Sequence, residues 1–464
     1  MNIAVILPLL FFLIIFFMIG FWANRYVKSS NSFLQEYFLG GRELGGFVLA
    51  MTMIATYGSA SSFIGGPGVA YTTGLGWVLL SMAQLPMGYF VLMVLGKKFA
   101  IIARKNNYVT IIDFLKDRYQ SNVIVLISAL SIIIFLFSAM TAQWVGGARL
   151  IESLTGLNYI PSLFIFAVSV SVYVIIGGFR AVALSDTVQG IIMLVGTIIL
   201  LVGTIIAGGG MSNIMAELVE INPNLISPFG SEQELTPIYV SSFWILVGVG
   251  VIGLPQIAVR AMSYKDSKAM HKAIIIGTFV IGTIMFGMHL IGVLARAVIP
   301  GIEIGDKVMP TLTLEVLPPL LAGIVLSAPM AAIMSTVNAL LILVSSTVVK
   351  DIYLNFIKKD ATEKQIKNTS LVVTTIIGLA VLLFALNPPD LLVWLNLFSF
   401  GGLESVFIWP IVFGLYWSRG NKYGACISMI VGMGSYIIID HFFPNPFGMH
   451  TVVLPIFFSN RLCP

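Results

Sequence analysis

The chain has 464 residues, of which 58% are apolar and 10% charged, with a net charge of +5. Soluble domains carry about 25% charged residues, so a string of ordinary soluble domains is excluded. The mean hydropathy of +1.00 fits a membrane protein whose basic residues hold loops in the cytoplasm, with no nucleic-acid partner.

The first apolar stretch, 3–23, has no basic lead and no small-residue cleavage site. It is expected to be a retained helix, not a signal peptide. Further apolar stretches lie near 46–71, 75–96, 122–145, 160–177, 186–208, 239–259, 273–298, 319–348, 369–387, 392–416 and 424–440. Each approaches the roughly 20 residues that cross a hydrocarbon core of about 30 Å. A short further stretch begins at Thr451 and ends by Phe458. Either the C-terminus is incomplete or this segment touches only the membrane surface. The expected fold class is an all-α polytopic membrane protein of 12–13 transmembrane helices.

Orientation follows from the loops. With the N-terminus outside, the inner loops receive Arg25, Lys28 and Arg42, then Lys97, Lys98, Arg104 and Lys105, then Lys265, Lys268 and Lys272, and later Lys350, Lys358 and Lys359. The outer loops receive only Arg149, Arg296 and Lys307. That asymmetry selects the outside N-terminus. Arg260, at the inner end of the seventh span, reads as another cytoplasmic anchor, with pairing to a substrate as the alternative. Cys426 and Cys463 suggest no disulfide framework, and the four histidines show no metal-ligand spacing.

Two spans carry chemistry foreign to a plain membrane helix. The second reads Ala55-Thr56-Tyr57-Gly58-Ser59-Ala60-Ser61-Ser62 and continues to Gly65-Gly66-Pro67-Gly68. The seventh reads Gly248-Val249-Gly250-Val251-Ile252-Gly253-Leu254-Pro255-Gln256. Glycine and proline weaken a helix and free backbone groups. In hydrocarbon such groups are tolerated only inside protein or along a wet cavity. Close helix packing is the other reading of such small residues. The two segments fall at matching places if spans 2–6 and 7–11 form two five-helix repeats, and paired interruptions of this kind point to a transporter binding site. In the ninth span Ala332, Ser335 and Thr336 lie at i, i+3 and i+4, on one helix face. Together with freed carbonyls of the second span they would give neutral oxygen ligands for a cation. The hydroxyls could instead bond back to their own helix. Glu404, inside the eleventh span, is an intramembrane acid and so a functional candidate or a helix–helix hydrogen bond.

From about Leu39 to Gly448 the chain resembles the sodium/solute symporter family. The stretches that carry the resemblance are Gly45-Gly46-Phe47-Val48-Leu49-Ala50-Met51-Thr52, Ala60 to Gly68, Gly177-Gly178-Phe179-Arg180-Ala181, Val251 to Pro255, Ser263 to Ala269, and Ala328 to Thr336. The resemblance implies two inverted five-helix repeats (a LeuT-like core), alternating access, and a sodium ion as co-transported ligand with no other cofactor. Carried over by position, the sodium ligands would be the carbonyls of Ala55, Gly58 and Ala332 and the hydroxyls of Ser335 and Thr336. Asp186 matches an aspartate linked to sodium release toward the cytoplasm; a helix cap is its other reading. The organisation it implies is a first helix and linker over 1–45, a first repeat over 46–208, an outer loop over 209–238, a second repeat over 239–416, and a peripheral segment over 417–464.

The family resemblance also implies import of a small carboxylate solute, pantothenate, across the cytoplasmic membrane, with no obligate protein partner. Candidate substrate contacts near the breaks are Tyr57, Ser59, Ser61, Ser62 and Gln256, and on neighbouring spans Gln84, Gln143, Trp144, Asn396, Phe398 and Ser399. A sodium- or proton-coupled symporter of another small solute is the alternative. The hydroxyl pair Ser335/Thr336 favours sodium, because a proton site would need a carboxylate or histidine there. No H-E-x-x-H, G-x-S-x-G or P-loop pattern occurs, so an enzyme or an ATP-driven pump is not expected.

Overall fold

The computed structural model describes residues 3–29, 43–389 and 391–462. Arg42, Cys463 and the side chains of Arg25, Lys28 and the Gly177–Ala181 motif lie outside the described residues.

The described chain is helical, and its one bridge pairs Leu44 with Tyr264. In chain order the helices are α1 (Ile3–Ser29), α2 (Gly46–Tyr57), α3 (Gly66–Thr73), α4 (Leu75–Gly96), α5 (Lys98–Lys105), α6 (Ile111–Tyr119), α7 (Asn122–Thr155), α8 (Tyr159–Ala207) and α9 (Met211–Ile221). There follow α10 (Pro237–Gly253), α11 (Pro255–Ala261), α12 (Ser267–Val298), α13 (Val308–Val316), α14 (Pro319–Ile357), α15 (Glu363–Phe384), α16 (Val393–Tyr416), α17 (Lys422–Phe442) and α18 (Val453–Leu462). The apolar stretches read from the sequence fall on these helices, the second divided between α2 and α3, the seventh between α10 and α11, and the fifth and sixth both on α8.

Both anomalous spans are broken. The second bends by 67° between α2 and the helical run that starts at Ser61, and the seventh bends by 56° between α10 and α11. Gly58 closes α2 in an extended conformation (φ −66, ψ 123). At the other break Pro255 opens α11, and its ring holds the preceding Leu254 extended (φ −83, ψ 114). The Leu44 bridge joins the approach to α2 to the segment just past α11: Leu44 N–H donates to Ser263 O at 3.1 Å, and Lys265 N–H donates to Leu44 O at 3.0 Å.

Burial sorts the helices into centre and rim. The apolar window of α14 is 83% buried, against 33% for α15 and 28% for α17. The interior therefore forms around α14 and the broken spans. Tight approach there depends on glycine: a Cβ on Gly292 of α12 would stand 2.3 Å from Pro67 O. The segment after Thr451 forms α18, which packs on its neighbours. Trp409 Nε1 of α16 donates to Ile456 O at 2.7 Å, and Ser428 Oγ of α17 donates to Ser459 O at 2.9 Å.

Candidate functional site

At the C-terminal end of α2 the helix stops and its last carbonyls lose their intrahelical donors. Ser335 Oγ of α14 donates to Ala55 O at 2.6 Å, and Thr336 Oγ1 donates to Gly58 O at 3.0 Å. Both hydroxyls also reach Ala332 O, each at 2.9 Å. The Ala55, Gly58 and Ala332 carbonyls and the Ser335 and Thr336 hydroxyls thus share one buried spot. Ser335 is 0% exposed. Five neutral oxygens with no charge among them suit a hard monovalent cation. The hydroxyls bond back to their own helix, as one of the sequence-based alternatives has it, and they also reach across to α2.

Across the break, the first half-helix N–H finds a cap. Ala60 N–H donates to Gln143 Oε1 of α7 at 2.8 Å, and Gln143 Nε2 reaches Ala139 O at 3.3 Å. Gln143 is thereby committed to holding the break.

Beside the break lies a narrow cavity of about 40 Å³ lined by Tyr57, Ser59, Ser61, Ser62, Gln84 and Asn396, together with Trp77, Ser81, Phe243, His289 and Phe400. Six of the sequence-derived substrate candidates are thus brought together. The others are not among its lining residues. Trp144 packs edge-on against Phe166, and Phe398 packs against Phe135 and Tyr436. Gln256 and Ser399 are buried, with Gln256 Oε1 and Ser399 Oγ lacking a hydrogen-bond partner among the described residues. His289, Trp77 and Phe400 were not singled out from the sequence. For His289 a signal existed, a lone imidazole inside an apolar span; its Nδ1 lies 2.6 Å from Met285 O. Trp77 and Phe400 look like any packing aromatic until the helices are assembled.

Farther toward the start of α2, Thr52 Oγ1 donates to Asp186 Oδ2, and Arg260 Nη2 of α11 lies 3.9 Å from that oxygen. Arg260 Nη1 also donates to Gln256 O at 3.1 Å. Two expectations change here. Arg260 is not a surface anchor but is 2% exposed. Asp186 does not cap a helix, because α8 runs helically through it. The cause is shared: a buried carboxylate and a buried guanidinium each need the other's charge.

Comparison with known proteins follows the same lines. Residues 37–432 match the family model described as the sodium:solute symporter family. The chain belongs to the sodium:solute symporter family. It is 50% identical over 461 residues to the sodium/pantothenate symporter of Haemophilus influenzae, covering 99% of this chain and 95% of that one. Identity to the sodium/pantothenate symporter of Escherichia coli is 52%, with the same coverage. The sodium/proline symporter of Escherichia coli is 31% identical over 444 residues, 92% of this chain and 85% of that one. Among solved structures, a Na+-coupled sialic acid symporter in a substrate-bound outward-open state superposes with a TM-score of 0.82. That match is 17% identical and covers 99% of this chain and 96% of the other. Mhp1, a nucleobase-cation-symport-1 family transporter, superposes at 0.58 with 14% identity, over 92% of this chain and 93% of its own. The fold is therefore the two-repeat core expected of this family, in a multi-pass membrane protein that is a transporter and not an enzyme.

Proposed function

We propose that this symporter imports pantothenate together with sodium across the cytoplasmic membrane by alternating access, with its N-terminus outside. The observation that carries the reading is the meeting of Ala55 O, Gly58 O and Ala332 O with the Ser335 and Thr336 hydroxyls, a cation cage built across two helices. The relatives that match over nearly full length bear the name sodium/pantothenate symporter, which supports the choice of solute. The distribution of Lys and Arg between alternate loops supports the orientation.

In this reading sodium pins α2 to α14. Tyr57, Ser59, Ser61 and Ser62 flank the pinned break, so the ion orders one wall of the solute cavity. A ligand shifts an equilibrium between outward and inward states only through unequal affinity for them. The cage meets that condition, because separating α2 from α14 divides its oxygens. Hydroxyl and amide groups of the cavity face the solute's own hydroxyls and amide, and Trp77, Phe243 and Phe400 supply apolar walls. Asp186, with Thr52 and Arg260, stands on the inner side as a stepping point for the ion's release.

Uptake of radiolabelled pantothenate into proteoliposomes tests this reading. An inward sodium gradient is expected to drive accumulation. Uptake that follows a proton gradient and ignores sodium would remove it.

A further inference from the structure

Glu404 plays no part in the cage or the cavity wall, yet it lies on the helix that carries Asn396 and Phe400 of that wall. On α16 it follows Asn396 by eight residues and Phe400 by four, so it continues their helix face one turn deeper than the cavity they line. It is 0% exposed, and neither carboxylate oxygen has a hydrogen-bond partner among the described residues. No described ion pair includes it; the buried guanidinium of Arg260 is turned to Asp186 instead. The helix–helix hydrogen bond that would make this residue merely structural is therefore absent among the described residues.

The carboxylate is aimed at the break in the seventh span. A Cβ built on Gly250 would stand 2.3 Å from Glu404 Oε2 and 2.5 Å from Ile245 O, so the two oxygens converge on one glycine Cα. A Cβ on Gly253 would lie 3.1 Å from Glu404 Cα, so this second glycine lets the α16 backbone come close. Here α10 passes from a π turn over Trp244–Val249 to a 3-10 turn over Gly250–Gly253 and then to the extended Leu254. In that stretch Ile245 O accepts the Gly250 N–H in the i to i−5 pattern of a π turn, which leaves its second lone pair to face a ligand. Tyr57, a cavity residue, donates its hydroxyl to Val247 O of the same stretch at 3.3 Å. Cavity, break and carboxylate form one continuous region.

A carboxylate sealed in a membrane protein without a partner needs a positive charge brought to it. We propose that Glu404, with the Ile245 carbonyl and the loosened turn of α10, is a second site for a monovalent cation, loaded from the cavity side during transport. The site is separate from the cage on α2 and α14, which is neutral. The inference rests on sodium-coupled pantothenate import as the activity. A filled site removes the repulsion that an ionised Glu404 would exert on the solute's carboxylate, so the cation loads first. Sodium would use the carboxylate and the carbonyl; a proton would use the carboxylate alone. Either supplies the same single positive charge.

Pantothenate carries one negative charge. With the cage ion alone each transport cycle moves no net charge, and with a second cation each cycle moves one net positive charge. The test is charge moved per labelled pantothenate in proteoliposomes holding the full chain under an imposed potential. The wild type is expected to move about one net positive charge per solute. Glu404→Gln, of the same shape but neutral, is expected to lose that charge and become indifferent to potential. Where the second cation is sodium, the Hill coefficient for sodium falls from about 2 to about 1 in the variant. Where it is a proton, the sodium coefficient is unchanged and solute-linked proton entry disappears. A wild type that moves no net charge, or a variant with the wild-type ratio, overturns the proposal.

A second measurement needs no variant and no transport. Dicyclohexylcarbodiimide labels membrane-buried carboxyls, and mass spectrometry locates the label. Labelling of Glu404 is expected to fall when sodium is added or pH is raised. Labelling indifferent to both, or a carboxyl closed to the reagent under every condition, overturns the site. If wild-type liposomes take up no pantothenate under a sodium gradient, the proposed activity fails while this arm still decides the cation site.

Discussion

Ser335 Oγ stands 2.6 Å from the Ala55 carbonyl oxygen although 280 residues separate them in the chain. Few contacts in the molecule say more about its working, because the bond ties the broken end of α2 to the most deeply buried of the long unbroken spans. Thr336 repeats the link to Gly58 at 3.0 Å. Two adjacent residues thereby hold both released carbonyls of one break.

Ser335→Ala and Thr336→Ala each remove one oxygen of the cage. The half-saturating sodium concentration for pantothenate uptake is expected to rise about tenfold or more, roughly 1.4 kcal/mol. The half-saturating pantothenate concentration, measured at saturating sodium, is expected to move less. Unchanged sodium dependence in both variants would place the ion elsewhere.

Asp186→Asn leaves the buried Arg260 guanidinium without its carboxylate. Removing one partner of a buried pair costs about 3–5 kcal/mol. A lower melting temperature in detergent is expected, partly recovered in the double variant Asp186→Asn/Arg260→Gln, where neither charge remains. Sodium efflux from preloaded proteoliposomes is expected to slow in the single variant. Melting curves that coincide with the wild type would show that the 3.9 Å pair carries no weight.

Two glycines on α12 make a matched pair. A Cβ at Gly292 meets the Pro67 carbonyl oxygen at 2.3 Å, and backbone cannot yield as a flexible side chain can. A Cβ at Gly277 meets nothing within 4 Å. Gly292→Ala is expected to lower thermal stability and transport together. Gly277→Ala is expected to be neutral or to gain up to about 1 kcal/mol from helix propensity. Equal melting temperatures for the two would contradict the packing of α12 on α3.

Asp306, in the segment between α12 and α13, is buried and accepts from Leu392 N–H at 3.2 Å. Burial pushes its carboxyl up to about 7, against weaker lowering by the Leu392 N–H and by Arg149. The native state then binds more protons than the unfolded state between about pH 4 and pH 7, so this group's contribution to stability falls as pH rises through that window. Asp306→Asn is expected to flatten this part of the profile, read as melting temperature against pH. His450, which burial lowers to about 4, contributes with opposite sign and cancels in the difference between variant and wild type. A difference curve with no slope between those limits would remove the assignment.

The sequence by itself determined the helical membrane architecture and the places where two spans break. These are local properties: an apolar run must be a helix in lipid because its backbone has no other partners, and clustered glycine and proline interrupt it wherever they occur. Helical spacing also put Ala332, Ser335 and Thr336 on one face. Only the tertiary structure decided which groups meet. Gln143 was legible as a polar residue in an apolar span, but its engagement with Ala60 N–H depends on how α7 crosses the break. Trp144 and Phe398 turn to other aromatics, while Trp77 and Phe400 line the cavity, and nothing in their neighbours along the chain distinguishes the two pairs. Arg260 was counted with the loop cations and proved to be buried beside Asp186. A charge's partner is chosen by helix packing across long sequence separations, and a one-dimensional pattern does not contain that distance.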